Sequence, residues 1–236
     1  MRKALLVLLV LFVGAVIAAD RIGVRIAQNE IGKQVATQYA MSETPKVKIH
    51  GFPFLTQALG GNYDKIDVTI SQWTDQGITV QDVKVEMKSV KAPLSEVSSG
   101  NADNVTAGTA TASAVIPYEL IKQRAPREVK RIGPKGDDLE VDLTGTISGL
   151  PMAGTATVSV KPSAKGIVIT PISIGSSGGP QIPLALVKQR LGWIVPVRDL
   201  PVGSRISKIE PTAEGLRVSA TADDVRLNDL QNAKTR

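Results

Sequence analysis

From Ile66 onward, apolar side chains keep returning at every second position. Ile66, Val68 and Ile70 alternate with Asp67, Thr69 and Ser71. After the turn Thr74-Asp75-Gln76-Gly77, Ile78 and Val80 resume the alternation, and Val83, Val85 and Met87 continue it on the opposite parity. Successive side chains of a strand point to opposite faces, so this pattern builds strands with one face on a core and one in water. The parity switch at Gln81-Asp82 implies a bulge or a change of strand. Leu139, Val141 and Leu143, then Ala156, Val158 and Val160, then Ile167 to Ile174 form a three-strand meander, with turns at Gly149-Leu150-Pro151 and Pro162 to Gly166. Thr106 to Val115 is small, Thr/Ala-rich and extended. Arg205 to Ile209 and Leu216 to Ala222 flank a turn at Glu210 to Gly215, and Asn228 to Arg236 read as frayed.

Helical spacing is confined to three places. Ala27, Ile31, Val35 and Tyr39 recur every fourth residue, which predicts a helix over Asp20 to Met41. Asp20 has the chemistry of an N-cap, and Pro45 marks the break. Pro117 to Arg124 and Pro183 to Trp193 read as short helices. Strands dominate, so the fold class is α+β, a long curved antiparallel sheet wrapped around helices.

The segment before Asp20 is of another kind. Arg2 and Lys3 precede Ala4 to Ala19, sixteen apolar residues ending in Val16-Ile17-Ala18-Ala19. A basic start, an apolar run and a small-residue end predict a signal peptide over residues 1–19. The alternative is an uncleaved N-terminal anchor, for which sixteen residues fall short of the roughly 20 a bilayer asks for. Either way the chain is expected to be exported from the cytoplasm, into the periplasmic space or held at the membrane through residues 4–19. It has no cysteine, so it carries neither disulfides nor a lipid-modified cysteine. Residues 20–236 are long enough to bury a core without such staples and read as a single domain.

Net charge is +6, or +4 with Arg2 and Lys3 set aside. Lys122, Arg124, Arg127, Lys130, Arg131 and Lys135 make one partial basic cluster. It reads as a solvated face, or as a patch for anionic headgroups worth about 1 kcal/mol per charge near such a surface. The basic residues are not interleaved with aromatics, so nucleic acid is not expected as a partner.

No catalytic set emerges. His50 is the only histidine, cysteine is absent, and no Gly-x-Ser-x-Gly elbow is present. Zinc would need clustered Cys or His, so no metal site and no cofactor are expected. Asp137-Asp138 and Asp223-Asp224 are adjacent pairs near turns, and neighbouring strand residues face opposite ways. Gly175 to Pro180 is glycine-rich but lacks the lysine and spacing of a phosphate loop.

One short stretch stands apart. Two of the three phenylalanines lie in Gly51-Phe52-Pro53-Phe54-Leu55-Thr56-Gln57. In a chain this poor in large aromatics, the pair is either the plug of a core or the wall of an apolar cavity. Trp73 and Trp193 carry the parallel alternatives of core packing and interfacial anchoring.

Gly51 to Gln57, following a short strand and followed by Gly61-x-Tyr63, resembles the hallmark of the LmeA-like phospholipid-binding proteins of actinobacterial envelopes. The order of Asp20-Arg21, Ile116-Pro117-Tyr118-Glu119-Leu120, Leu200-Pro201-Val202-Gly203 and Glu214-Gly215-Leu216 agrees with it across the mature chain. The resemblance implies a tubular lipid-binding-like fold, a curved sheet rolled around the N-terminal helix with an elongated apolar cavity. It implies phospholipid as ligand, a membrane surface nearby, and non-enzymatic upkeep of envelope lipids and lipoglycans. It transfers Gly51, Phe52, Pro53, Phe54, Leu55, Thr56 and Gln57 as lipid-site residues. Phe52, Phe54 and Leu55 are expected at the cavity mouth, Gly51 and Pro53 in shaping the turn, and Thr56 and Gln57 in hydrogen bonds to backbone or headgroup. Burying a 16-carbon chain is worth roughly 13 kcal/mol at about 0.8 kcal/mol per CH₂. Two other readings remain: an exported scaffold for another envelope protein, and an envelope glycan or lipid hydrolase.

Overall fold

The computed structural model describes residues 2–75, 77–93, 95–96, 104–147, 150–176, 183–197 and 203–232. Leu200 to Val202 and most of the glycine-rich Gly175 to Pro180 loop lie outside the described residues. The fold is α+β, with an N-terminal helix and two β-sheets, and every strand pairing with a described register is antiparallel. The strands divide between a six-stranded sheet, ordered β1-β2-β3-β4-β11-β10, and a five-stranded sheet, ordered β5-β6-β7-β8-β9. The chain forms two compact units, each with its own core.

The first unit contains α1 (Arg2–Gln38), β1 (Lys46–His50), α2 (Phe54–Gly60) and most of β2 (Asn62–Asp75). It also holds the later part of β3 (Ile78–Lys91), the start of β4 (Thr106–Pro117), the end of β11 (Gly215–Arg226) and α5 (Leu227–Asn232). The helix expected from Asp20 begins at Arg2 instead and runs 37 residues without a break. Nothing in Ala4 to Ala19 interrupts it, because a lone Gly14 costs only about 1 kcal/mol in a helix. Asp20 is therefore a mid-helix residue, not a cap for α1. The helix closes on Ala40, which takes a left-handed φ of 48°. The Met41 N–H then reaches the Ala36 carbonyl at 2.8 Å and the Ala40 N–H the Thr37 carbonyl at 3.3 Å, a Schellman stop. β1 pairs with β2 through Val47 opposite Val68 and Ile49 opposite Ile66. Val47, Ile49, Ile66, Phe54, Tyr63 and Val90 are buried together, with Val24 of α1 among them.

The parity switch expected at Gln81-Asp82 lies inside one strand. β3 runs unbroken through it, with Asp82 at φ 45° and Ser89 at φ 51°. Each left-handed residue turns the following side chains onto the other face.

The second unit contains β5 (Val129–Lys135), β6 (Asp138–Ile147), β7 (Leu150–Ser163), β8 (Gly166–Ser176) and β9 (Trp193–Pro196). With them are α3 (Tyr118–Lys122), α4 (Leu184–Leu191), β10 (Arg205–Pro211) and most of β11. The meander read from sequence is β6-β7-β8, and Leu139, Val141, Leu143, Val158, Ile167 and Ile169 are its fully buried face. Val187 and Leu191 of α4 cover it. Trp193, opposite Ile169, belongs to this core. Two stretches of the sequence resemblance meet here. The Tyr118 hydroxyl donates to the Thr212 carbonyl at 2.8 Å, and a Cβ on Gly215 would lie 2.3 Å from the Ile116 carbonyl oxygen. Only glycine allows that approach. α5 replaces the first part of the expected frayed tail, tied down where the Leu227 N–H donates to the Val105 carbonyl at 3.0 Å.

Candidate functional site

The Phe-rich segment is a turn followed by a helix. Gly51 sits at φ 99°, the Phe52-Pro53 bond is cis, and α2 begins at Phe54. Pro53 at the N-cap has no side-chain oxygen to accept an orphan helix N–H. Asp20 does this from α1: its Oδ1 accepts the Leu55 N–H at 2.9 Å. That carboxylate is 1% exposed, and its Oδ2 faces Arg21 Nη2 at 3.2 Å. A cap supplied from another helix has no local sequence signature, which is why Asp20 reads as a cap for its own helix.

The seven residues divide by what they touch. Phe54 is buried in the first core, with its ring 6.4 Å from that of Tyr63. Gln57 ties β1 to β2: its Nε2 donates to the His50 carbonyl at 3.2 Å and its Oε1 accepts the Asp64 N–H at 3.1 Å. Thr56 donates to the Pro53 carbonyl at 2.9 Å. A Cβ on Gly51 would meet the Gln57 amide at 2.5 Å. These contacts fix the turn. Phe52 and Leu55 point outward, 60% and 39% exposed. Phe52 lies under the Arg21 guanidinium at 4.8 Å, a cation–π arrangement. Leu59, four residues after Leu55 on the same helix face, is 81% exposed and was not singled out by sequence. Its signal was there, in the Phe52/Leu55/Leu59 spacing of three and four. Ile22 and Ile26 of α1 are also exposed.

Further along α1 lies an open groove of about 540 Å³ between the helix and the approach to β1. Arg25, Gln28, Asn29, Lys33, Thr44 and Lys46 line it. Gly32 lets the helix come close, since a Cβ there would be 2.8 Å from the Pro45 carbonyl oxygen. Arg25, Lys33 and Lys46 make no ion pair among the described residues. Residues 25, 29 and 33 recur every fourth position, which puts them on one helix face. That spacing was legible; the arrival of Lys46 from a strand was not.

Three of the six residues of the basic cluster expected near residues 122–135 carry ion pairs. Lys122 pairs with Glu119 at 2.7 Å, Arg131 with Asp142 at 2.8 Å and Lys135 with Glu140 at 2.7 Å. His50 pairs with Asp67 at 2.7 Å across β1 and β2. Asp67 also faces Lys65 at 3.4 Å, and Lys65 bonds Glu86, which takes Lys88 at 3.0 Å as well. The hydrogen bond from Lys65, then that from Lys88, hold the Glu86 carboxyl below its usual range. The bond to Glu86 raises the Lys65 ammonium above its own. This is a surface network bracing three strands. Among the described residues no cluster of His, Asp or Glu is placed to hold a metal.

Comparison with curated proteins and with solved structures found no match. Comparison with protein families matches residues 18–231 to the LmeA-like phospholipid-binding family. The match takes in α1 from the end of its apolar run, the Gly51 to Gln57 turn and both cores. The chain belongs to the LmeA-like phospholipid-binding family.

Proposed function

We propose that the protein binds a phospholipid molecule and carries it within the cell envelope without catalysis, in the upkeep of envelope lipids and lipoglycans. The single observation that carries the reading beyond the family is a juxtaposition on α1. Exposed Phe52 and Leu55 lie beside Arg21 and Gly23, and the groove of Arg25, Lys33 and Lys46, which make no ion pair among the described residues, follows along the same helix. A phospholipid needs both chemistries in that order, apolar surface for its chains and cations for its phosphate. In this reading Phe52 and Leu55 border the lipid, Gly51, Pro53, Thr56 and Gln57 hold the turn that presents them, and Phe54 anchors that turn in the core. An elongated apolar cavity for the acyl chains, within a single functional domain over residues 20–236, completes the proposal. The phosphate sits in the groove, where Lys and Arg serve as point charge and fork.

The test is native mass spectrometry and organic extraction of the purified full chain. Co-purified phospholipid near one per protein is the expected result. A chain that stays lipid-free after mixing with liposomes refutes the proposal. The double variant Lys33→Glu/Lys46→Glu is expected to keep its fold, because both side chains are exposed, and to lose most of its bound phospholipid. Unchanged lipid content in that variant removes the groove from the reading.

A further inference from the structure

Just past the apolar run of α1, the exposed side chains of Phe52 and Leu55 lie against the helix at Arg21 and Gly23. Residues 2–19 of α1 are exposed throughout, Leu5, Leu8, Val10 and Leu11 to about 70%. Burial begins at Asp20. Sixteen residues rise about 24 Å at 1.5 Å each. The hydrocarbon of a bilayer is about 30 Å thick, so the run alone falls some 6 Å short. The next turn and a half of α1 supplies more apolar surface. Ile22 and Ile26 are 57% and 63% exposed, and Phe52 and Leu55 are held beside Arg21 and Gly23.

We propose that α1 is retained as the uncleaved anchor and that these residues, with the exposed Leu59 one turn further along α2, form a belt that inserts into the acyl–headgroup boundary of the bilayer. The inference rests on the reading of the protein as a lipid binder at a membrane, and it names the face that enters the membrane. The occupant is a lipid bilayer because the belt is continuous with an exposed apolar helix that needs one. From Asp20 to Ile26 the helix rises about 9 Å, which matches the 5–10 Å depth at which interfacial apolar faces settle. The charged residues at this level are placed for it. The Asp20 carboxylate would be costly in the boundary if bare, and it is shielded from solvent and bonded to the Leu55 N–H. The Arg21 guanidinium lies over the Phe52 ring and faces the Asp20 carboxylate at 3.2 Å, so the two charges at this level offset each other. Arg25 follows one turn later, at the edge of the cationic groove. The groove thus lies just past the belt, where headgroups give way to water.

The absence of native cysteine makes the test direct. Leu59→Cys, Phe52→Cys and, as control, Gln38→Cys at the far end of α1 would each be labelled with an environment-sensitive fluorophore in the full chain. The labelled chains would be reconstituted into phosphatidylglycerol/phosphatidylethanolamine vesicles. The Leu59 and Phe52 labels are expected to be quenched several-fold more by a nitroxide on the lipid acyl chain than the Gln38 label, and to be shielded from aqueous iodide. A Leu59 label as open to iodide as the Gln38 label overturns the proposal, whether the chain is held in the vesicle or stays outside it. Phospholipid extracted from the same preparations separates the two ideas. Bound lipid with a water-exposed Leu59 label sinks the belt alone, and a shielded label on a chain that purifies lipid-free sinks the lipid-binding reading alone.

Discussion

Phe52 and Phe54 are two residues apart and do opposite things. Phe54 is 7% exposed among Val24, Ala58 and Tyr63, and Phe52 is 60% exposed beside Arg21. Truncating Phe54 removes a ring from a packed site, so Phe54→Ala is expected to cost about 3–5 kcal/mol of stability. Phe52→Ala removes a ring already in solvent and is expected to change stability by no more than about 0.5 kcal/mol. Urea unfolding followed by circular dichroism measures both. On the function proposed, lipid content reverses the ranking per unit of damage: Phe52→Ala lowers bound phospholipid while the fold stays intact. Equal stability losses in the two variants would contradict the division of the pair. The sequence marked the pair as special without separating its members. The core-plug alternative describes Phe54, buried in the first core, while Phe52 is exposed on the surface.

Legibility at the scale of elements follows the range of the forces. The meander β6-β7-β8 was readable because alternation and turns are local, and the bulge near Asp82 because a parity switch is local too. β5 was missed because its sequence, Val-Lys-Arg-Ile-Gly-Pro-Lys, looks like a basic loop. Its register with β6, Arg131 opposite Asp142 and Gly133 opposite Glu140, supplies the carboxylates that make it a strand. The cap from Asp20 to Leu55 and the cationic groove were illegible for the same reason, since each joins residues far apart in sequence. Cross-strand charges also give β2 and β3 a pH dependence. Glu86 titrates lower in the folded protein than in the unfolded chain, chiefly through its bond from Lys65. Its stabilising contribution is therefore complete above the ordinary glutamate pKa of about 4.3 and is lost as pH falls through its lowered folded value. Lys65 is raised, so its share holds below the ordinary lysine range and fades as pH rises through its raised value. Glu86→Gln is expected to be less stable than the parent at pH 7, with the gap narrowing as the medium is acidified below the glutamate range. Thermal unfolding of both chains from pH 7 to pH 3 reads this, and a gap that widens on acidification contradicts it.

At the scale of the whole molecule, two cores share one chain. The residues of the first core lie on α1, β1, α2 and in or beside β2, β3 and β4, with Leu227 of α5 packed against them; those of the second lie on β5 to β9, α3, α4 and the β10–β11 hairpin. No residue belongs to both. β2, β3, β4 and β11 nevertheless contribute residues to each unit, so covalent continuity favours joint unfolding while separate cores favour independent opening. Magnitudes decide between them. Leu139 is fully buried in the second core, and Leu139→Ala is expected to cost about 2–5 kcal/mol. Whole-domain stability is typically only about 5–15 kcal/mol, so a loss of that size is large enough to expose the weaker unit if the cores open separately. Substitutions that share no partners act additively and locally. Amide exchange in Leu139→Ala is therefore expected to accelerate across β6, β7 and β8, whose ladders flank the new cavity, and to leave β1 and its partner stretch of β2, Lys65 to Thr69, near their parent rates. Uniform acceleration in both cores would mean that the strands common to the two units transmit opening completely, and that residues 20–236 unfold as one cooperative domain.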